Sequence, residues 1–529
     1  MEYVFGLPGE EVMHILDALA DSRIQFVVTR HEGGAAFMAD VYGRLTGRAG
    51  VCLATLGPGA TNLTTGVADA NLDRSPLVAI TGQVSLDVVH REWHQYIDLP
   101  ALFRPITKWT VQVERPEVIP EVVRKAFRLA QMERPGATHI SVPENVAAAE
   151  AAGGPIPPTP LGYPPPRWQD VQRAADLIAE ARSPIIIAGN GVLRRNGSRE
   201  LQALAEKAHI PVAETFMGKG ALDYRHHLSL MAVGLQDRDW IMCGLDRADL
   251  VIAVGYDMVE YAPRRWNPHK DKTIIHLDNS PAEIQEHYAP AVEIVADVCE
   301  GLEALKEACE GQRPMPHHAA LRGIILGELA DYQADDSFPM KPQRLVADLR
   351  AALGEEDILV SDVGAHKLWL ARLYPAIRPN TVLISNGLAA MGIAVPGAMA
   401  AKLLHPDRKV VAVAGDGSFL MTGSELETAK RLGTSFVTVV WVDGSYGLIQ
   451  WKQLTTFGRA SGVAFGNPDF AAYARAFGLP GFRVERAADF LPTLRQALEL
   501  PEPSVIEVAV DYGENLRLTE KLGQLTCAI

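Results

Sequence analysis

The chain has no surplus of positive charge. Fifty Lys and Arg stand against 64 Asp and Glu, a formal net charge of −14 over 529 residues. It also lacks a basic cluster, which argues against nucleic acid and anionic membrane surfaces as partners. Cysteine is scarce: five residues, odd in number and scattered (Cys52, Cys243, Cys299, Cys309, Cys527). That pattern does not suit a disulfide framework and leads to the expectation of reduced thiols in a cytoplasmic protein. No apolar run reaches the length of a membrane span and no signal peptide is read, so no membrane partner is expected. Repeats of short period are missing as well.

What is present is a chain too long for one hydrophobic core, with length for about three domains. The proline-rich stretch Gly153–Arg167 (GGPIPPTPLGYPPPR) can be neither helix nor central strand. A second polar stretch, Gly311–His318 (GQRPMPHH), reads as another linker. Together they predict domains over 1–152, 168–310 and 338–529. Each alternates apolar runs with helical segments, so the expected fold class is α/β, three doubly wound parallel-sheet domains. In the middle part, Ser183–Gly191, Asp249–Gly255 and Thr273–Asp278 read as parallel strands. SPIIIAGNGVLRRNG there suggests a dinucleotide turn, but it lacks a clean GxGxxG and the trailing acid.

The segment Val410–Tyr446 (VVAVAGDGSFLMTGSELETAKRLGTSFVTVVWVDGSY) carries the most chemistry. It reads as strand, tight turn, helix, strand. Asp416 follows the apolar run Val410–Ala414, and Asp443 follows Val437–Val442. Ser424 and Glu427 fit a capping box that would open the intervening helix. Parallel strands joined by a helix end on the same sheet edge, so both carboxylates are expected in one crevice. Gly415 and Gly417 let the backbone pass close to a ligand, and Ser418 with free N–H groups at a helix start suits a phosphate. Two carboxylates alone would repel a phosphate; Mg²⁺ between them removes the conflict. The segment therefore predicts a metal–diphosphate anchor. A lone GDG triplet would be read as ordinary loop aspartates, but the full pattern is not.

A second constellation lies in residues 25–83. Strand Gln25–Thr29 ends at His31–Glu32, with a helix from Gly33. Strand Val51–Thr55 runs into the Gly57-Pro58-Gly59 turn, and another helix and strand Leu77–Thr81 follow. Glu32 stands at a strand end beside two glycines and a mostly apolar helix. A partly buried carboxyl there could hold or release a proton near neutrality. Taken alone, it reads first as a first-turn acid favouring the helix dipole.

GDGS with an Asn or Asp some two dozen residues later resembles the thiamine-diphosphate-binding motif. The stretch from Trp441 through Glu485, with Asp443 where most of that family has Asn, is similar to acetolactate synthases of the catabolic, FAD-independent type. RHEGGAAFMADVYGRLTG and TLGPGATNLTTGVADA resemble the pyrimidine-binding domain of the same enzymes. The resemblance implies thiamine diphosphate and Mg²⁺ as cofactors. Asp416, Asp443 and the backbone carbonyl of Ser445 would be the metal ligands. Glu32 would hydrogen-bond the aminopyrimidine ring and favour the tautomer that removes the thiazolium C2 proton. Glu32, Pro58, Asn62, Gly364, Ala365, His366, Met391, Gly415, Gly417, Ser418, Tyr446 and Gly447 are the further cofactor residues implied.

Met391 would wedge between the cofactor rings, although a buried Met is more commonly plain core. His366 fits a cofactor contact or a mere helix cap. Gln95, in the HQ pair of HREWHQYIDLP, would be a catalytic and substrate residue, with Trp451 and Lys452 at the substrate. YDMVEYAPRRWNP resembles the branch without flavin, so no FAD is expected. In this family Glu32 and the anchor come from different subunits, implying a homodimer as minimal active unit and an expected homotetramer. Family members place a further helix before EYVFGLPG, so that helix is expected to be missing here.

The activity implied is decarboxylation of pyruvate and joining of the hydroxyethyl carbanion to a second pyruvate, giving 2-acetolactate and CO₂. Another thiamine-diphosphate carboligase acting on a different 2-oxo acid stays open, as does a non-catalytic binding protein on the same fold.

Overall fold

The structure is a computed structural model that describes residues 1–151, 153–234, 240–311 and 318–515. Its strands form three six-stranded sheets in which all pairings are parallel. The first sheet holds β1 (Tyr3–Gly6), β2 (Gln25–Val28), β3 (Gly50–Ala54), β4 (Leu77–Gln83), β5 (Trp109–Gln112) and β6 (Ala137–Pro143), in the order β2-β1-β3-β4-β6-β5. The central sheet holds β7 (Pro184–Ala188), β8 (Val212–Glu214), β9 (Ser229–Ala232), β10 (Leu250–Val254), β11 (Thr273–Asp278) and β12 (Val292–Val295), in the order β12-β11-β10-β7-β8-β9. The third holds β13 (Ile358–Ser361), β14 (Val382–Ile384), β15 (Val410–Gly415), β16 (Val437–Val442), β17 (Gly481–Val484) and β18 (Ser504–Ala509), ordered β14-β13-β15-β16-β18-β17. The first and third sheets thus share one strand order, while the central sheet has the doubly wound order of dinucleotide-binding folds. Helices cover both faces of each sheet, so strands such as β7, β10 and β15 are continuous apolar runs rather than alternating ones.

The first and third domains are fused through one hydrophobic core. Helix α1 (Glu32–Thr46) is buried from Glu32 to Gly43. It starts where His31 Nδ1 accepts from the Gly33 N–H, and ends at Gly47 in the left-handed conformation. It lies between α2 (Pro58–Leu72) and a helix of the third domain. In that domain β13 leads into α3 (Ala365–Leu373), and β14 leads through a loop into α4 (Ala394–Leu404), the helix that packs on α1. Close approach depends on small residues: a Cβ at Gly397 would stand 3.0 Å from Val41 Cγ2.

One local expectation is corrected. The helix after β15 does not open at Ser424 with a capping box. The chain is already helical in α5 (Asp416–Thr422), makes a 3₁₀ turn at Gly423–Glu425, and resumes as α6 (Leu426–Leu432). Ser424 is exposed inside the turn, and Glu427 pairs with Arg431 one turn on. The reason is tertiary. Glu425 turns inward and accepts from the backbone N–H groups of Arg30 and His31, both at 3.0 Å, and from Thr428 Oγ1. Those two N–H groups precede α1, so the 3₁₀ turn docks the third domain on the first.

The expected linker 153–167 contains no regular element and runs along the surface. Of the second expected linker, residues 312–317 lie outside the described residues, as does Cys527. In the central domain, Gly189 and Gly191 are used for chain-to-chain packing. The Gly191 N–H donates to Gly255 O at 2.8 Å, and a Cβ at Gly191 would stand 2.5 Å from Gly255 Cα. The reading that no acid trails this turn is corrected: Glu214 ends β8. Its carboxylate, however, is buried and accepts from the N–H groups of Leu222 (2.7 Å) and Gly220 (3.2 Å).

Candidate active site

The carboxyl ends of β14, β13, β15 and β16 lie side by side, and the order of the third sheet reverses between β13 and β15. This is the switch point at which open α/β sheets leave a crevice. A cavity of about 190 Å³ occupies it. Gly364, Ala365 and His366 come from the β13–α3 turn, Met391 from the loop after β14, Gly415 to Ser418 from β15–α5, and Asp443 to Gly447 from the end of β16. All of these except Gly444 line one wall or another of the same space.

The carboxylate pair is organised by backbone amides. Asp416 is 1% exposed. Its Oδ1 accepts from the Gly417 N–H at 2.8 Å. Its Oδ2 accepts from Asp443 N–H (3.1 Å), Gly444 N–H (2.7 Å) and Asn467 Nδ2 (2.8 Å). The turn after β16 needs Gly444, whose φ is +67°. It is stapled to residues 463–465 by Tyr446 N–H to Val463 O and Phe465 N–H to Gly444 O. Asp443 is pushed up to about 7, first by burial and second by the charge of Asp416. At Gly447 a Cβ would stand 2.7 Å from Asp443 Oδ2, so glycine there gives the carboxylate its room.

This donor set fits a hard divalent cation. Asp416 and Asp443 converge as oxygen donors, and Ser445 Oγ and Asn467 Oδ1 are buried beside them with no hydrogen-bond partner among the described residues. Helix α3 opens on the same cavity from Gly364, with no side-chain cap, leaving first-turn N–H groups for an anionic ligand. His366 therefore does not cap α3. Its ring is buried, burial lowers its pKa to about 3, and its Nε2 has no partner among the described residues. It is a neutral imidazole at the cavity floor, with its ring edge on Trp441.

The residues expected from the first domain are elsewhere. Glu32 is 8% exposed at the start of α1, and its Oε2 accepts from Asn62 Nδ2 at 3.0 Å. Gln95 sits over the turn before α2, with its backbone oxygen 2.8 Å from where a Cβ on Gly57 would be. Pro58, Asn62 and Gln95 are exposed. Glu32, Pro58, Asn62 and Gln95 thus gather at the carboxyl edge of the first sheet, and none of them lines the cavity in the third domain. Helix α7 (Gly447–Phe457) carries Trp451 and Lys452. Trp451 is packed in the third domain's core and Lys452 is exposed, so neither lines the cavity. Three wall residues escaped the sequence reading, Val363, Ala389 and Tyr512, as did Asn467 behind Asp416. Tyr512 follows the end of β18, which was a usable signal. Asn467 lies in a loop with no spacing cue.

A second cavity lies where the three domains meet. Its guanidinium groups are each bound to carboxylates: Arg44 to Asp40, Arg74 to Asp257, Arg194 to Glu133 and Arg195 to Asp297. It holds none of the carboxylate–amide chemistry described above.

Three sheets of this order, with a carboxylate pair at the switch point of the third and a buried glutamate bonded to an asparagine at the edge of the first, define a thiamine diphosphate-dependent enzyme. Comparison with known families agrees. The "Thiamine pyrophosphate enzyme, N-terminal TPP binding domain" matches residues 1–102, the "central domain" 171–305 and the "C-terminal TPP binding domain" 362–508. The catabolic acetolactate synthase of Raoultella terrigena is 37% identical over 99% of this chain and 94% of its own length. The acetolactate synthase of Bacillus subtilis is 36% identical over 98% of this chain and 92% of its own. A probable acetolactate synthase large subunit of Methanocaldococcus jannaschii is 36% identical over 99% and 92%. The chain belongs to the acetolactate synthase family of thiamine pyrophosphate enzymes.

Proposed function

We propose that this protein is an acetolactate synthase of the catabolic, flavin-independent type, converting two pyruvates into 2-acetolactate and CO₂. The observation that carries the reading is the pairing of Asp416 and Asp443 in one crevice that Met391 also lines. When bound, thiamine diphosphate supplies the electron sink that lets pyruvate lose CO₂ and its two-carbon remainder attack a second pyruvate. Asp416, Asp443 and the Ser445 carbonyl would hold Mg²⁺, whose charge would offset that of the diphosphate. Gly364, Ala365, His366, Gly415, Gly417, Ser418, Tyr446 and Gly447 would surround the diphosphate and thiazolium end. Met391, Leu448 and Ile449 form the apolar lining that keeps water from the reacting carbon.

Glu32, oriented by Asn62 beside Pro58, would hold and return a proton at the aminopyrimidine ring, with Gln95 on the substrate side. These groups would reach the cavity from a second copy of the chain, making a homodimer the minimal active unit, with a tetramer as its assembled form. Tyr446 and Ile449, which line the cavity, are 41% and 48% exposed in the single chain, and the neighbouring segments carry exposed Leu388, Leu420, Met421, Leu454 and Phe457, apolar surface suited to such a partner. Domain limits of 1–152, 168–310 and 338–529 accommodate both half-sites. Against FAD stands the use of Gly189, Gly191 and Glu214 within the central domain itself. Buried, unpaired thiols at Cys52 and Cys309 favour a reducing compartment such as the cytoplasm.

The test is product identity after incubation with pyruvate, thiamine diphosphate and Mg²⁺. Acetolactate with one CO₂ for each two pyruvates supports the reading; acetaldehyde as sole product, or no CO₂, overturns it.

A further inference from the structure

Met391 reaches the cavity from a loop that is irregular and strained. Ala389, itself a wall residue, has φ of +59°, and Gly392 has φ of +99°. A non-glycine residue in the left-handed region costs energy and persists only where its surroundings hold it. Here the surroundings come from two domains. From α2 in the first domain, Asp69 Oδ1 accepts from Ser385 Oγ (2.7 Å) and from the Ala390 N–H (3.2 Å). Four residues on, Asp73 Oδ1 accepts from the N–H groups of Asn386 (3.3 Å) and Gly387. From the end of β13 in the third domain, Asp362 Oδ1 accepts from the Gly392 N–H (2.8 Å) and Oδ2 from the Ala394 N–H (2.9 Å). Asp69 and Asp362 are both fully buried. The residues immediately before and after Met391 are therefore each tied to a different carboxylate.

We propose that Asp69 and Asp362 are positioning residues of the active site: they clamp the backbone on either side of Met391 and so hold its thioether in the cavity. This rests on the reading that the cavity holds thiamine diphosphate. Neither carboxylate lines the cavity; Asp69 acts through the loop, and Asp362 acts through the loop and also touches the wall residue Ser418. The α2 side has a further consequence. Asn62, the partner of Glu32, lies seven positions before Asp69 on the same helix. One rigid element thus places the Glu32 side chain at its first turn and fixes the Met391 loop near its last.

The test is a double-mutant cycle on the full-length protein with Asp69→Asn, Asp362→Asn, Met391→Ala and the two doubles with Met391→Ala. Four quantities are read: thiamine diphosphate affinity by fluorescence quenching, the near-UV circular dichroism of the bound cofactor, kcat and KM on pyruvate, and Tm. Each Asp variant is expected to lower kcat roughly tenfold or more with KM within about threefold. Each is also expected to change the cofactor dichroism in the direction of Met391→Ala, and to add little further loss on the Met391→Ala background. Equal kcat losses in both backgrounds, or unchanged dichroism, would overturn the clamp. If Asp69→Asn fails to fold because it disturbs Arg44, Asp362→Asn decides alone, since among the described residues its carboxylate is held by backbone N–H groups and not by a guanidinium. Wild-type protein that does not bind thiamine diphosphate sinks the cofactor reading itself, whereas normal binding with additive doubles sinks only the clamp.

Discussion

The backbone N–H of Asp443 donates to Asp416 Oδ2 at 3.1 Å, so the first carboxylate of the pair positions the second. They are 27 positions apart in sequence and adjacent in space because β15 and β16 are neighbouring parallel strands. Burial raises the pKa of Asp443, and the neighbouring Asp416 adds to the rise.

That shift predicts how metal binding depends on pH. Below about 7 Asp443 keeps its proton, and a cation must displace it; above about 7 the site is ready. Mg²⁺ affinity should rise roughly tenfold per pH unit on the acid side and level off on the alkaline side. Calorimetric titration of metal-free protein with Mg²⁺ checks this. Asp443→Asn, which keeps an oxygen donor and removes the titrating group, should flatten the dependence.

Gly447→Ala tests the packing behind the pair. The added methyl would meet Asp443 Oδ2 at 2.7 Å and the Tyr512 ring at 3.1 Å. Displacing the carboxylate should weaken Mg²⁺-dependent cofactor binding roughly tenfold, the usual scale for disturbing a metal ligand's support. Tm of the metal-free protein should change little. Unaltered cofactor affinity would show that Asp443 does not need its present position.

Glu32→Gln keeps the size and the contact with Asn62 but cannot exchange a proton. Cofactor affinity should stay within a few-fold, while kcat falls by about 10²–10⁴. Fluorescence titration and steady-state rates separate the two effects.

Two half-sites on different domains predict complementation between variants. Glu32→Gln and Asp416→Ala should each be inactive alone. Refolded together in equal amounts, half the dimers are hybrids with one intact site, giving about a quarter of wild-type activity. No recovery under conditions where hybrid dimers form would mean that each chain builds its site alone.

Arg44 is the only cation hydrogen-bonded to the buried trio Asp40, Asp69 and Asp73 among the described ion pairs. Arg44→Met strands three carboxylates in the interior. Unfolding free energy should drop by about 3–5 kcal/mol, the cost of breaking a buried ion network from one side. Urea denaturation measures it.

Much of the anchor was legible without coordinates. A glycine–aspartate–glycine turn between two apolar strands, with a second aspartate after the second strand, restricts the chain to one arrangement, because parallel connections are right-handed and strand ends share an edge. Boundaries of β16 and β11 were read to the residue, since largely buried parallel strands are rich in apolar and β-branched residues. The capping box failed for a reason local chemistry does not contain: Glu425 is needed by the N–H groups of Arg30 and His31, nearly 400 positions away. Trp451 was expected at the substrate because it follows the metal loop. Helix α7, however, turns that face into the core.

The order of residues along the chain, by itself, determined the three α/β units and the carboxylate pair, since each depends on local pattern and strand periodicity; the role of Glu32 came from the family resemblance. Only the tertiary structure decided which of those residues share a cavity. Placing Glu32 away from Asp416, threading Asn467 behind the pair and bracing Met391 between Asp69 and Asp362 are all contacts between distant segments. They follow from how buried polar groups find partners once the domains have packed, and no local rule encodes that.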